Sequence, residues 1–322
     1  MTNNSPEIIS LGELLVEIMR SKVDVSHGRI GEIYKGPYPS GAPAIFINSA
    51  ARMAKPFNMT TGYIGVIGND EFGLCIKERL KKDGVDVSQI RTDKTNTTGI
   101  AFNQYNSDGS RKFIFAPGAA GETSPEDVNP HYFQNIKCLH IMGSALSISE
   151  NSRKACYKAI EIARETNPNV IISFDPNLRP EMLDIETILE ISKPVLDQTT
   201  ILLPSGEEAE MLARVEGEST ACVNLLEQSP DLVVLKRGSG GCTIFTNKIK
   251  EGVKVSAYDA DEIDPTGAGD SFGGAFVVGY LEGWDLKKIG AFANAVGALK
   301  VESFGPMPNT TYEEAIGLLE ST

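Results

Sequence analysis

One segment of the chain, residues 261–283, combines residue types that bind an anion and accept a proton. Its sequence is DEIDPTGAGDSFGGAFVVGYLEG, in which Gly267 and Gly269 flank a turn that opens an apolar helix. Glycines let the backbone approach a ligand closely, and the unpaired N–H groups at a helix start attract negative charge. Asp270 lies inside this anion site, where it would repel the ligand. A catalytic role explains its presence, because a carboxylate can accept a proton from an attacking hydroxyl.

Other interpretations of this segment compete with the catalytic one. Asp270 could simply cap the helix, with the glycines forming a turn. A dinucleotide-binding fingerprint is disfavoured, because Gly267, Gly269 and Gly273 have the spacing G-x-G-x-x-x-G and lead into successive helices rather than a βαβ unit. The sequence contains no G-x-x-x-x-G-K-[ST] loop of the Walker A type.

Short β-branched runs alternate with helical periodicities over most of the chain, which predicts βαβ units and a mostly parallel sheet. We predict strands at residues 8–11, 62–66, 138–142, 170–174, 201–203, 232–236 and 242–246. We predict helices at residues 44–54, 71–82, 150–166, 207–215, 218–228, 267–283, 286–302 and 311–320.

Two stretches, residues 14–38 and 97–116, interrupt this alternation. The second contains Asp108-Gly109 between apolar and aromatic runs, which is a strong hairpin signal. We expect both stretches to form a small β lid inserted into a single domain that spans residues 1–322, since such a flap can close over a site in an α/β core.

Composition narrows the possible functions. The 322 residues carry a formal net charge of −13, which disfavours nucleic acid as a partner. No uncharged apolar window of 18 residues and no basic leader followed by an apolar run occurs, so we expect neither a membrane span nor a signal peptide. The five cysteines are scattered singly, which is typical of reduced thiols in a cytoplasmic protein.

Residues 264–272, DPTGAGDSF, closely resemble the C-terminal signature of the ribokinase-like (phosphofructokinase-B) carbohydrate kinases. Segments resembling the same family follow its order along nearly the whole chain: GYIGVIGNDEFG (62–73), FDPNLRP (174–180), LLPSGEEAE (202–210), VVLKRGSGGCTIF (233–245) and ANAVGALKV (293–301). The resemblance implies a three-layer α/β fold with helices on both faces of the central sheet and a small β lid. It also implies an enzyme that binds ATP, Mg²⁺ and a sugar, a K⁺ site, and a homodimer formed through the lid.

The resemblance implies roles for residues at the phosphate end. Asp270 would be the catalytic base, and the backbone of Gly267, Ala268 and Gly269 would form the anion hole. Glu208 would act on Mg²⁺ through water, although Ser205 replaces the asparagine of the family's N-x-x-E motif. ATP would contact Ser205, Glu208, Lys236, Gly238, Gly241 and Asn294, and K⁺ would contact main-chain oxygens of Asp264 and Thr266. Taken alone, Glu208 is typical of a solvated acid at a helix start, and Asn294 could equally be a helix-packing amide.

At the sugar end, the resemblance implies binding by Glu17, Gly41, Asn48, Tyr105 and Arg179. Ile45 stands where the family usually has a sugar-binding asparagine, and we expect Asn48, one helical turn later, to substitute for it. Ala116 stands where 2-keto-3-deoxygluconate kinases carry a carboxylate-binding arginine. Arg111 and Arg179 could compensate for that arginine.

The sequence therefore predicts an ATP-dependent kinase that phosphorylates a primary hydroxyl of a small uncharged sugar. The pattern is most similar to bacterial kinases of ketohexoses such as fructose and tagatose. Two alternatives stay open: a 2-keto-3-deoxygluconate kinase, and a catalytically silent sugar or nucleotide sensor on the same fold.

Overall fold

The computed structural model describes residues 5–108 and 110–321, and it contains two separate β-sheets. The strands are β1 (Ile8–Gly12), β2 (Leu15–Arg20), β3 (Tyr34–Ser40), β4 (Thr61–Gly68), β5 (Val85–Asp93), β6 (Gly99–Tyr105), β7 (Arg111–Ala116), β8 (Cys138–Met142), β9 (Ile171–Asp175), β10 (Ile201–Leu202), β11 (Leu232–Lys236), β12 (Cys242–Thr246) and β13 (Ile249–Val255). The helices are α1 (Ala42–Ala54), α2 (Glu71–Asp83), α3 (Gly143–Ser147), α4 (Glu150–Thr166), α5 (Ile185–Leu196), α6 (Gly206–Ala213), α7 (Glu218–Leu226), α8 (Ala268–Leu281), α9 (Leu286–Val301) and α10 (Tyr312–Glu320).

The larger sheet has the strand order β13-β12-β11-β10-β9-β8-β1-β4-β5. The pairs from β11 to β5 are parallel, and β12 and β13 add an antiparallel edge. Its central strands β1 and β8 are buried throughout, as near-continuous apolar runs such as IISLG and CLHIM require. The mostly parallel sheet predicted from the sequence is therefore confirmed.

Helices cover both faces of this sheet and enclose two apolar clusters. One cluster lies beneath α1, α8 and α9 and includes Phe46, Phe276 and Phe292. The other lies beneath α4, α5 and α7 and includes Cys156 and Leu225. Helix, sheet and helix form three layers, which is the predicted fold class.

The smaller sheet has the order β3-β2-β6-β7 and comes from the two stretches expected to form the lid. Strands β2 and β6 are parallel, while β2–β3 and β6–β7 are antiparallel. Tyr105 pairs with Arg111 at the end of the β6–β7 hairpin. Asp108 accepts a hydrogen bond from the Ser110 amide at 2.8 Å, and Gly109 of the predicted turn lies outside the described residues.

Four of these elements were not predicted from the sequence, and one of them is the five-residue helix α3. Strand β5 is at the edge of the large sheet and half exposed, so it lacks the buried run that marks the central strands. Strand β13 is an edge strand of the same kind. Helix α5 carries Pro194, which masks its helical pattern. No helix within residues 5–108 and 110–321 has the length and apolar character needed to cross a membrane.

Candidate active site

A cavity of about 1230 Å³ is lined by residues of both sheets. The small sheet contributes Glu17 and Ser40, and the large sheet contributes Asp175 and Lys236. The latter two lie at the carboxyl ends of β9 and β11, where parallel α/β sheets commonly bind ligands. The start of α8 lines the same cavity, so the predicted phosphate and sugar ends share one space.

The turn before α8 has the geometry expected of an anion-binding helix start. Gly267 precedes the helix with φ +80°, and a Cβ there would lie 2.3 Å from the carbonyl oxygen of Pro306. Only glycine fits this combination of dihedral angle and close approach. Gly267 and Gly269 line the cavity, whereas the amide of Ala268 donates to the Pro265 carbonyl at 3.2 Å. The anion hole inferred from the sequence is thus better placed at Gly267 and Gly269 than at Ala268.

Asp270 occupies the first turn of α8 and lines the cavity. Desolvation raises the pKa of its carboxyl group to about 7, and the nearby Asp175 carboxylate contributes in the same direction. Lys236 and Arg179 act against this rise. A carboxyl group whose pKa lies near neutral pH suits a general base, because it can both accept and release a proton there.

Lys236 forms a buried ion pair with Asp175, and the side chain of Asp175 is only 2% exposed. The Lys236 Nζ is 3.6 Å from the position that a Cβ on Gly269 would occupy. The ammonium group therefore lies beside the turn at Gly267 and Gly269, and its contact with ATP stays a prediction. Arg179 also lines the cavity and donates to the Leu178 carbonyl at 3.4 Å.

Glu208 and Ser205 line the cavity at the start of α6. Glu208 accepts hydrogen bonds from the Leu178 amide at 3.0 Å and from the Ser205 amide at 2.8 Å. It is thus both a helix cap and a fixed carboxylate facing the cavity. Asn177, which sequence reasoning missed although it is part of the quoted FDPNLRP segment, lines the cavity with a buried Oδ1 that has no hydrogen-bond partner among the described residues.

Glu17 is buried in strand β2 at the other end of the cavity. Ser40 donates to its Oε1 at 2.6 Å, and the Asn103 amide donates to its Oε2. Burial raises the pKa of Glu17 to about 7, against the effect of the Ser40 hydrogen bond. Gly41 lines the cavity nearby with φ +111°, and a Cβ there would lie 2.3 Å from the Glu13 carbonyl oxygen.

Glu13 is a cavity residue that sequence reasoning did not single out as a ligand-binding group. Its Oε1 accepts a hydrogen bond from Ser144 at 2.6 Å, while its buried Oε2 has no partner among the described residues. Burial raises the pKa of Glu13. The signal available in the sequence was a second acid in the apolar run GELLVEIM, four residues before Glu17.

The expected sugar contact of Asn48 is not supported by the structure. Asn48 is fully buried, and its amide donates to Asp83 Oδ2 at 2.7 Å in a cluster with Arg52 and Arg79. Ile45 lines the cavity, but Asn48 does not. A residue three positions later is rotated by about 60° and displaced by about 4.5 Å along the helix axis, which is enough to turn it away from the cavity.

Tyr105 does not line the cavity either; it connects the lid to the phosphate-end loop. Its hydroxyl donates to Asp264 Oδ1 at 3.1 Å and lies 2.5 Å from Thr266 Oγ1. The Asp264 carboxylate is therefore occupied by protein donors, including the amides of Thr266 at 3.0 Å and Gly305 at 2.9 Å. Tyr105 is better described as a link between lid and loop than as a sugar ligand.

The remaining predicted nucleotide contacts lie on loops and helices beside the cavity rather than in its wall. Asn294 is buried in α9 and donates to the carbonyls of Val255 at 3.2 Å and Ser256 at 2.9 Å, which supports the packing interpretation of this amide. Gly238 and Gly241 belong to the turn between β11 and β12. Their contact with a nucleotide stays a prediction.

A family model described as pfkB family carbohydrate kinase matches residues 23–311. The chain belongs to this family. The DPTGAGDSF segment lies within this match, and its residues Gly267, Gly269 and Asp270 line the cavity described above.

Similar proteins cover nearly the whole chain. A probable fructokinase-5 of Arabidopsis thaliana is 33% identical over 95% of this chain and 94% of its own length. Fructokinase-2 of Solanum lycopersicum is 30% identical over 99% of this chain and 97% of its own. A proposed ribokinase II of E. coli, solved in its apo form, is 37% identical with a TM-score of 0.91, over 98% of this chain and 100% of its own. The same E. coli protein has also been solved in complex with ATP and Mg²⁺, with a TM-score of 0.90.

Proposed function

We propose that this pfkB kinase transfers the γ-phosphoryl group of MgATP to a primary hydroxyl of a small uncharged ketohexose such as fructose or tagatose. The observation that carries the proposal is the single cavity that contains Glu17 at one end and Asp270, with its pKa of about 7, at the other. Fructokinases are among the relatives that match this chain over nearly its full length, which supports the choice of a ketohexose.

The charges at the sugar end favour a neutral substrate. Glu17 and Glu13 both line this end, so a sugar carboxylate or phosphate would face two acids. Arg111 and Arg179 line the cavity as well and are the residues that could favour a 2-keto-3-deoxygluconate kinase. A phosphorylated sugar would need cations from the lid, for which Lys22 and Lys35 are candidates. Neither lines the cavity, because Lys22 pairs with Glu32 and Lys35 lies over the ring of Phe304. An uncharged sugar avoids the repulsion and uses the acids as hydrogen-bond acceptors.

Each of these residues has a separate role in the proposed phosphoryl transfer. Glu17 accepts hydrogen bonds from sugar hydroxyls and fixes the sugar's orientation. Asp270 accepts the proton of the attacking hydroxyl, while the amides of Gly267 and Gly269 bind the transferring phosphoryl group. Lys236 neutralises charge beside them. Phosphoryl transfer depends mostly on positioning and charge stabilisation, which this arrangement provides.

Mg²⁺ fits the polar groups at the nucleotide end. Hard cations prefer oxygen ligands, and protein-bound Mg²⁺ usually keeps several waters and binds substrate phosphates. Glu208 and the unpartnered Oδ1 of Asn177 could hold such waters. When bound, the ion offsets the charge of the phosphates. We therefore propose Mg²⁺ as the divalent ion, held by ATP and through water by Glu208.

The four-stranded sheet is proposed to act as a lid that excludes water from the transferring group. Phe113 and Ile114 of its β7 strand are 50% and 52% exposed, which supports the expected homodimer through the lid. Light scattering at several protein concentrations tests that assembly.

The cysteines among the described residues are all unpaired, which supports the expected cytoplasmic location.

A coupled ATPase assay tests the substrate directly. We expect kcat/KM for fructose or tagatose to exceed that for ribose, 2-keto-3-deoxygluconate and the phosphates of fructose and tagatose. Phosphorus NMR of the product should show a phosphate monoester on a primary carbon. A clear preference for the keto acid would reject the neutral-sugar proposal and favour the second candidate.

A further inference from the structure

Lys300 is a buried lysine in the last turn of α9 for which the proposed reaction gives no role. Its side chain is fully buried, which is rare for lysine unless the ammonium group has partners. The Nζ donates to the carbonyl oxygen of Asp264 at 2.7 Å and lies 3.5 Å from the carbonyl oxygen of Ser303. The partners of this buried ammonium are thus main-chain oxygens.

These oxygens flank the loop that leads into the anion hole. Asp264 begins the DPTGAGD segment, and its main-chain oxygen is one of those predicted from the resemblance to bind K⁺. Ser303 follows the end of α9, and the carbonyl oxygen of Pro306 shortly after it lies close to Gly267. Both an ammonium group and K⁺ place a single positive charge among carbonyl oxygens, so one can replace the other.

The surrounding charges favour a cation here. Burial lowers the pKa of Lys300 below its usual value, and the carboxylates of Asp264, Glu17 and Asp270 offset only part of this fall, with Arg111 opposing them. The carboxylate of Asp264 is itself fixed by the amides of Thr266 and Gly305. The Lys300 ammonium group adds a contact that these amides do not make, because it donates to the main-chain oxygen of Asp264.

We propose that the Lys300 ammonium group supplies the charge and the carbonyl contacts that a monovalent cation would supply beside the anion hole, so that this kinase needs no K⁺. Lys300 is then a positioning residue: it acts on the phosphoryl group through the Asp264 carbonyl and the loop that ends at Gly267. The inference rests on membership of the kinase family and not on which sugar is the substrate.

The first test compares monovalent cations on the unaltered enzyme. Turnover is measured with chloride salts of K⁺, Na⁺ and tetramethylammonium at equal ionic strength, with MgATP and the best sugar. Thermal unfolding with MgADP is followed in the same salts, and this measurement needs no sugar. We expect turnover to vary by less than about two-fold and the midpoint to show no K⁺-specific shift. A several-fold K⁺ activation, or a saturable K⁺-specific rise of the midpoint, would overturn the proposal.

The second test removes the ammonium group. Lys300→Ala should lower kcat at least ten-fold in tetramethylammonium, leave the sugar KM nearly unchanged, and gain a K⁺-specific rise in both turnover and unfolding midpoint. Lys287→Ala, an exposed lysine of the same helix, is the matched control and should show none of these effects. Lys300→Met keeps most of the side-chain volume without the charge, so it can replace the alanine variant in the kcat comparison if that variant does not fold.

The two tests fail in distinguishable ways. A folded Lys300→Ala enzyme that is fully active without K⁺, or that is impaired but gains nothing from K⁺, would show that Lys300 does not occupy a cation position. A wrong sugar assignment would lower all turnover values together and leave the thermal series in MgADP unaffected.

Discussion

Asp270→Asn separates the proposed base from a merely structural acid. The substitution keeps the size and hydrogen-bonding capacity of the side chain but removes its ability to accept a proton. We expect kcat to fall by roughly two or more orders of magnitude. ATP affinity should change little, since the amides of Gly267 and Gly269 and the cation of Lys236 remain in place. Asp259→Asn, an exposed acid before the motif, is the matched control and should retain full activity.

The same variant should also be more stable than the parent enzyme at high pH. The pKa of Asp270 rises from 3.8 to about 7 on folding. At 1.36 kcal/mol per pH unit, this costs the folded state up to about 4 kcal/mol once the group is ionised. Because the raised pKa belongs to an acid, the cost is absent below pH 3.8, grows as the pH rises, and is complete above pH 7. Water in the cavity makes the figure an upper limit.

Chemical denaturation at several pH values, together with the kinetics, checks both expectations. The stability gain of Asp270→Asn over the parent should increase between pH 5 and 8, and the control Asp259→Asn should show no such trend. Near-normal turnover of Asp270→Asn would refute the base assignment. A loss of ATP affinity as large as the loss of kcat would show that Asp270 supports nucleotide binding instead.

Three further predictions follow from the site. Glu17→Gln should raise the sugar KM by roughly ten-fold or more, since a charged acceptor of a hydroxyl hydrogen bond contributes about 1.5–3 kcal/mol. The same variant should leave the ATP KM unchanged. Steady-state kinetics in which the ATP KM rises and the sugar KM does not would contradict this prediction. Lys236→Met should move the acidic limb of the pH–kcat/KM profile above its parent position, because Lys236 lowers the pKa of Asp270, and an unmoved limb would argue against this coupling. Sugar binding should slow amide exchange in residues 99–115, and exchange that ignores the sugar would argue against lid closure.

The phosphate end was predictable because its determinants are contiguous in the sequence. Gly267, Gly269 and Asp270 fall within one turn, so one short motif determines both the backbone conformation and the position of the carboxylate. The central strands were predictable for a similar reason, since continuous burial leaves a continuous apolar run, as in β8 and β11. Edge strands such as β5 have no such run and were missed.

The sugar end was less predictable because its contacts join residues from separate elements. Asn48 carries the expected residue type, but its orientation is set by Asp83 of α2, which pattern reasoning along α1 cannot include. Glu17 was identified as an acid in an apolar strand, whereas its donors Ser40 and Asn103 come from the two neighbouring strands. Lys300 gave a similar signal, as a lone lysine in the apolar run ANAVGALKV, but its partner Asp264 is 36 residues away along the chain.

An enzyme with a net charge of −13 gains no long-range attraction for ATP, so the cations within the site must provide what the surface does not. The structure places them beside acceptors: Lys236 pairs with the Asp175 carboxylate, and Lys300 donates to the main-chain oxygen of Asp264. The Lys236–Asp175 pair is nearly neutral until a phosphate arrives, and burial together with the Asp175 carboxylate keeps the pKa of Asp270 close to neutral pH. A site built only of cations would bind phosphate more tightly but would lower the pKa of the base and so weaken its basicity. The alternation of acids and cations along the cavity therefore serves both phosphate binding and proton transfer.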